Sequence, residues 1–128
     1  MKTFSQIIII ILIIVFVLVL DIITNNMTEK YIKKIESEMA NIERVIDEKA
    51  EKLKEQTNNL DKMWKDIENK MSYYSEHNEL EKVSLNIKLL KKQIEIEEYN
   101  LAKQSISEIN YILEHIEEKQ KLKIKNIF

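Results

Sequence analysis

Residues 7–20 read IIIIILIIVFVLVL, an unbroken apolar run, and no Gly or Pro occurs anywhere in the chain. With Phe4, Ser5 and Gln6 in front and Ile22-Ile23 behind, the run reaches about 20 residues. At ~1.5 Å per residue that is ~30 Å, the thickness of a bilayer's hydrocarbon core. Lys2 precedes it and Asp21 stands at its exit. A secretory signal has a similar start, but its apolar part is usually ~7–15 residues and closes on a small-x-small cleavage site. The exit here, Leu20-Asp21-Ile22-Ile23-Thr24-Asn25-Asn26, has no Ala, Gly or Ser. No second apolar segment of this strength exists to cover a buried core helix. The run therefore predicts an uncleaved transmembrane anchor over 1–24, followed by a domain over 25–128.

The run has no Gly, Ala, Ser or Thr between Ile7 and Leu20. Close helix packing in lipid relies on such small residues, so this anchor reads as a plain tether in contact with lipid. Asp21 lies at the end of the run and not its centre, which fits an interfacial residue better than an ion pathway. Lys30, Lys33 and Lys34 beyond the run would keep the C-terminal part in the cytoplasm by the positive-inside rule. The short N-terminal tail with Lys2 has the opposite sense, that of a signal-anchor. It predicts a single-pass protein of the cell membrane with its C-terminal domain extracytoplasmic.

Charged residues make up 33% of the chain, yet the net charge is only −2. Interspersed signs of this kind belong to solvated helix faces and leave no electrostatic footprint for nucleic acid. Without cysteine there are no disulfides and no thiolate metal sites. The strong bias to lysine over arginine matches bacterial genomes of low GC content.

From Ile32 the apolar residues Ile32, Met39, Ile46, Leu53, Leu60, Ile67 and Tyr74 recur every seventh position, a coiled-coil-like stripe that needs a partner surface. A companion line begins with Ile35 and Ile42, then moves over by one position to Ala50, Trp64 and Met71. Asn26 and Glu29 have capping-box spacing, which predicts that a helix restarts just outside the membrane. After Tyr74 the frame slips, and Ser75–Asn78 reads as a turn with Asn78 as the helix cap. The stripes Leu80, Val83, Ile87, Leu90, Ile94 and then Ala102, Ile106, Ile109, Leu113, Ile116 predict helices over about 78–96 and 98–117. By its unbroken heptad the 26–74 stretch reads as one helix. Lys119–Phe128 alternates lysine with Leu122 and Ile124, which predicts an extended tail whose Ile127 and Phe128 are buried in a groove. Short connections make successive helices antiparallel neighbours. The fold class is all-α: a single N-terminal transmembrane helix, then a small antiparallel helical bundle or helical-hairpin array.

Chemistry is sparse. Neither His77 nor His115 has a Glu three residues before it, the spacing by which bundle metal sites are built. His77 reads as a turn residue beside a cap and His115 as an amphipathic surface residue. The spacing lets His115 share a helix face with Glu118, or His77 with Glu81, and two such pairs do not make a metal's ligand set. No Gly-rich phosphate loop and no glycine-framed serine can exist in this chain. These features predict no enzyme, no metal and no cofactor. Trp64 reads as a packing anchor against Leu90 and Ile94 or against Ile109 and Leu113.

Trp64, the His77-x-Glu79 triplet, two following amphipathic helices and the closing Asn126-Ile127-Phe128 resemble the uncharacterised family known as domain of unknown function 4363, over nearly the whole chain. The resemblance implies a short clostridial-type protein with one membrane segment and a helical remainder. It also implies a helix boundary near Asp47, between Ile46 and Ala50, and structural or interaction roles for Trp64, His77, Glu79, Asn126, Ile127 and Phe128. It brings no known activity. The leading expectation is a membrane-tethered helical interaction module with lipid and an unidentified protein as partners. The rivals are an envelope- or division-type coiled-coil homodimer formed through Ile32–Tyr74, and a module that senses a small ligand.

Overall fold

In a computed structural model, described for residues 1–47 and 50–127, four helices follow one another: α1 Lys2–Val45, α2 Ala50–Met71, α3 His77–Glu95 and α4 Tyr99–Ile127. No strand occurs among the described residues. The boundary at Ile46–Ala50 falls where the family resemblance implies, and the turn at 72–76 near where the frame slip in the apolar stripe predicts.

Each helix packs on its neighbours in sequence, and α4 closes the ring onto α1, while the diagonal pairs stay apart among the described residues. Side-chain bonds give the directions. Thr28 of α1 meets Tyr74 just beyond α2, Asp61 of α2 meets Lys91 of α3, Gln93 of α3 meets Ser105 of α4, and Gln120 of α4 meets Thr24 of α1. Every neighbouring pair is thus antiparallel, and the half of α1 beyond the apolar run forms an up-down-up-down four-helix bundle with α2, α3 and α4.

The core is one continuous cluster made of the stripes named above, from Ile32, Ile35, Met39, Ile42 and Ile46 of α1 and its end to Ala102, Ile106, Ile109, Leu113 and Ile116 of α4. Because these positions recur at three- and four-residue steps, each helix turns one apolar face inward. The Ile32–Tyr74 stripe is interrupted at the α1–α2 turn and is covered within the chain, so it offers no free seam to a second rod. A dimer would need another surface.

Three local expectations are overturned. No helix restarts at Asn26: α1 crosses this point without a break, and Asn26 caps nothing. Thr24 and Thr28 turn their hydroxyls back onto the carbonyls of Asp21 and Thr24, at 3.1 and 2.7 Å. Such back-bonding lets threonine sit within a helix, and no Gly or Pro is present to stop it. Asn78 is not the cap of α3 either. That position falls to Glu76, in extended conformation and without a side-chain cap bond.

The third correction concerns the tail. Lys119 to Ile127 is not extended but completes α4. The core stripe in fact runs on from Ile116 to Gln120, which is 4% exposed, and to the half-buried Ile124. A glutamine in an apolar register conceals this continuation from a hydrophobicity pattern. Asn126 is exposed on the last turn, while the burial of Ile127 and Phe128 lies outside the described residues.

The α3–α4 turn shows how the chain manages without glycine. Glu97 adopts φ 60°, its N–H donates to the Ile94 carbonyl (3.1 Å), and the Glu98 N–H donates to the Gln93 carbonyl (2.8 Å). This is a Schellman ending with glutamate at the left-handed position that glycine usually fills.

Candidate functional site

Most polar side chains that join different helices gather in two places, with Gln93–Ser105 and Lys103–Asp47 standing apart. The first is midway along α2 and α3. Trp64 is 1% exposed, and its indole N–H donates to Ser84 Oγ at 2.8 Å, while the Ser84 hydroxyl donates to Glu68. Trp64 therefore belongs to the α2–α3 contact, where its bonded partner is Ser84, and α2 makes no contact with α4 among the described residues. One turn away, Asp61 bridges Lys91 of α3 (3.0 Å) and Lys65 (3.4 Å). Burial pushes the Asp61 carboxyl upward, but Lys91 and then Lys65 outweigh it and leave its pKa below the usual value.

The second cluster lies at the end of the bundle where the apolar run departs. Glu79, 9% exposed, receives Lys119 Nζ at 2.9 Å and His115 Nε2 at 3.3 Å. Lys119 also reaches Glu76 at 3.2 Å, and its hydrogen bonds to Glu79 and then Glu76 raise its pKa. Beside it the Gln120 amide donates to Thr24 Oγ1 at 2.8 Å. The Tyr74 and Thr28 hydroxyls bond at 2.9 Å, and burial, the largest influence, holds the Tyr74 phenol above its ordinary pKa. Lys70 stands 5.7 Å over the Tyr31 ring, a cation–π contact that ties α2 to α1.

Glu79 is thus brought together with the other histidine. His77 points into water and pairs with Glu81 on its own helix at 2.9 Å. Asn126 joins neither cluster. Sequence reasoning missed Ser84, Glu68, Lys119 and Gln120, and it placed His115 at the surface, where it is, without its partner Glu79. A helix-face pattern shows which side chains point inward, but not which residue of a neighbouring helix stands opposite.

Chemically these clusters fasten helices to one another: their charges and donors are spent on partners in the same chain. The groove between α2 and α3, lined by Lys54, Thr57, Asn58, Lys91 and Glu95, is polar and open to solvent. No group of three His, Asp or Glu side chains placed to hold a metal occurs among the described residues.

Besides singly exposed side chains such as Tyr73, Leu101, Tyr111 and Leu122, the exposed apolar surface has two main groups. Residues 7–23 of α1 are bare except for the half-buried Leu18 and Asp21, with Ile7 to Val17 each 43–63% exposed, and this helix is long and apolar enough to cross a membrane. On α3 and its C-terminal cap, Leu85, Leu89 and the cap residue Ile96 are 59, 45 and 53% exposed. At ~100° per residue these three fall within about 40° of one another, on the side of α3 away from its buried face.

These features define an antiparallel four-helix bundle built onto a helix with a candidate membrane span. The chain belongs to the family described as Domain of unknown function (DUF4363), whose model matches residues 22–127. That match covers the bundle and starts after the apolar run. No curated protein and no solved structure matches the chain.

Proposed function

We propose that the chain is a single-pass membrane protein whose bundle is a protein-interaction module without catalytic activity. The observation that carries this reading is the continuity of α1. One helix is bare over an apolar length suited to a bilayer, then becomes a core element of a bundle whose inward apolar stripes are buried. A contiguous bare apolar surface of this size calls for lipid or protein to cover it. Lys2 ahead of the run gives the layout of a signal-anchor, with the bundle extracytoplasmic, while Lys30, Lys33 and Lys34 weigh toward the opposite sidedness. The α3 stripe of Leu85, Leu89 and Ile96 supports a protein partner, because three large apolar side chains on an outward helix face serve no purpose in the bundle's own core.

The test is extraction and protease access. The full chain should stay in the pellet when membranes are washed with alkaline carbonate. Protease added to intact protoplasts should remove the bundle and leave an anchor fragment. Release into the wash would refute the tether; full protection in intact cells with digestion after lysis would reverse the sidedness. For the partner, a photocrosslinker at Leu89 should give a discrete adduct that Leu85→Lys abolishes, and an adduct pattern indifferent to Leu85→Lys would remove the α3 stripe from the proposal.

A further inference from the structure

The end of α4 reaches a level where a soluble helix has no reason to be. Gln120 bonds Thr24 across antiparallel helices, so each further residue of α4 moves ~1.5 Å along α1 toward the apolar run. By that count Lys123 stands about level with Asp21, Lys125 with Val19, and Ile127 about 10 Å past the Thr24 level. The exposure of α1 agrees with a helix lying there. Leu18, Asp21, Asn25 and Thr28, spaced by three and four residues along one face, are covered in part or whole, whereas Val17, Val19, Leu20, Ile22 and Ile23 on the other faces stay exposed.

The charges at this end sort themselves. Lys119 is held by Glu79 and Glu76, and Lys121 by Glu117 at 3.3 Å. Lys123 and Lys125 are exposed and have no carboxylate partner among the described residues. Leu122, 51% exposed, lies between them on the helix surface and points away from the core. Unpaired lysines on long apolar stems with an outward leucine, at the edge of a span, have the makeup of an interfacial segment. The stems can lie along the acyl boundary while the ammonium groups rise to the phosphates.

We propose that the last two turns of α4 sit in the headgroup layer and that Lys123 and Lys125 bind the phosphates of anionic lipids, as a second membrane contact beside the span. This rests on the membrane tether proposed above. The bundle is then held to the bilayer at two points, by α1 through it and by α4 on it, and anionic lipid strengthens the second contact through charge attraction that salt weakens.

The chain has no cysteine, so single-cysteine spin labels can be placed in the full-length protein in nanodiscs, made of phosphatidylcholine with or without phosphatidylglycerol. Labels go on Val15→Cys in the span, Leu122→Cys on the α4 end and Tyr111→Cys on the exposed mid-bundle surface, and their accessibility to oxygen and to a water-soluble nickel chelate is compared. The expected order is Val15 in hydrocarbon, Leu122 at the interface and Tyr111 in water. Lys123→Gln with Lys125→Gln should raise nickel access at Leu122 in the phosphatidylglycerol discs and leave it unchanged in pure phosphatidylcholine. A Val15 label in water would overturn the tether itself. A Val15 label in lipid with Leu122 as wet as Tyr111 would overturn only the α4 contact. A double variant with no effect, or the same effect in both lipids, would remove the lysine–phosphate contact.

Discussion

Replacing Trp64 by alanine tests the packing of the bundle at its largest buried side chain. The indole is 1% exposed and donates its N–H to Ser84 across the α2–α3 contact. Emptying such a site costs about 3–5 kcal/mol when the surroundings collapse only in part. A domain of this size has a total stability of about 5–15 kcal/mol, so the change removes a large share of it. With each kcal/mol worth ~4–8 °C at this length, Tm should fall by at least ~12 °C. Trp64→Phe keeps most of the apolar volume and loses the N–H, and should cost about 1–2 kcal/mol by adding a smaller volume loss to one net hydrogen bond. Ser84→Ala should fall nearer ~1 kcal/mol. The assay is thermal unfolding of the full chain in detergent, followed by circular dichroism. Trp64 is the sole tryptophan, so its emission in the parent protein separately reports burial of the site. A loss below ~0.5 kcal/mol for Trp64→Ala, the range of ordinary surface changes, would refute the placement of the indole between α2 and α3.

Two further outcomes follow from individual backbone and charge positions. Glu97→Gly relieves a non-glycine residue of its left-handed conformation at the end of α3 and should stabilise the protein by about 0.5–1 kcal/mol, against the usual direction of mutations to glycine; a lower Tm in the same melt would contradict the Schellman geometry. Glu36 has its pKa raised above 4.5, first by burial and then by Glu117 and Glu114 on α4, so its carboxylate opposes folding at neutral pH. This penalty is absent below the unfolded value, grows as pH rises through the folded one and is constant above it. Glu36→Gln should therefore stabilise the protein slightly at pH 7, by less than about 0.5 kcal/mol because solvent screens a partly exposed charge, with a smaller gain at pH 4; an equal gain at both values would discard the electrostatic cause.

The inward faces of all four helices were legible, because apolar residues such as Leu80–Ile94 and Ala102–Ile116 repeat with helical spacing and the turn between Tyr74 and α3 breaks that spacing by one residue. The end of α1 was not legible from periodicity. The heptad passes through Ile46 and Leu53 without a slip, and no Gly or Pro marks the reversal; only the family resemblance placed a boundary there. The α4 tail was misread because hydrophobicity gives Gln120 no inward weight, although its amide finds Thr24 in the fold. The Glu79–His115–Lys119 cluster was beyond reach for a different reason. Its members lie on helices whose relative height is set by the turns, and Glu79 by itself looks like any other carboxylate on a charged surface.

The uninterrupted course of α1 through Thr24 gives the bundle a fixed stature. Helix rise places the α1–α2 turn about 40 Å above the level of Asp21, and the Leu85–Ile96 stripe about 18–35 Å above it. A tether with a flexible linker would let its cargo sweep a hemisphere and meet partners at many heights. Under the proposed tether, the candidate span and the first core helix are one rod, so the α3 stripe would travel in a narrow shell parallel to the bilayer. Any protein that meets it must present its own surface within that shell, which favours a neighbour that is itself resident in, or docked on, the same membrane.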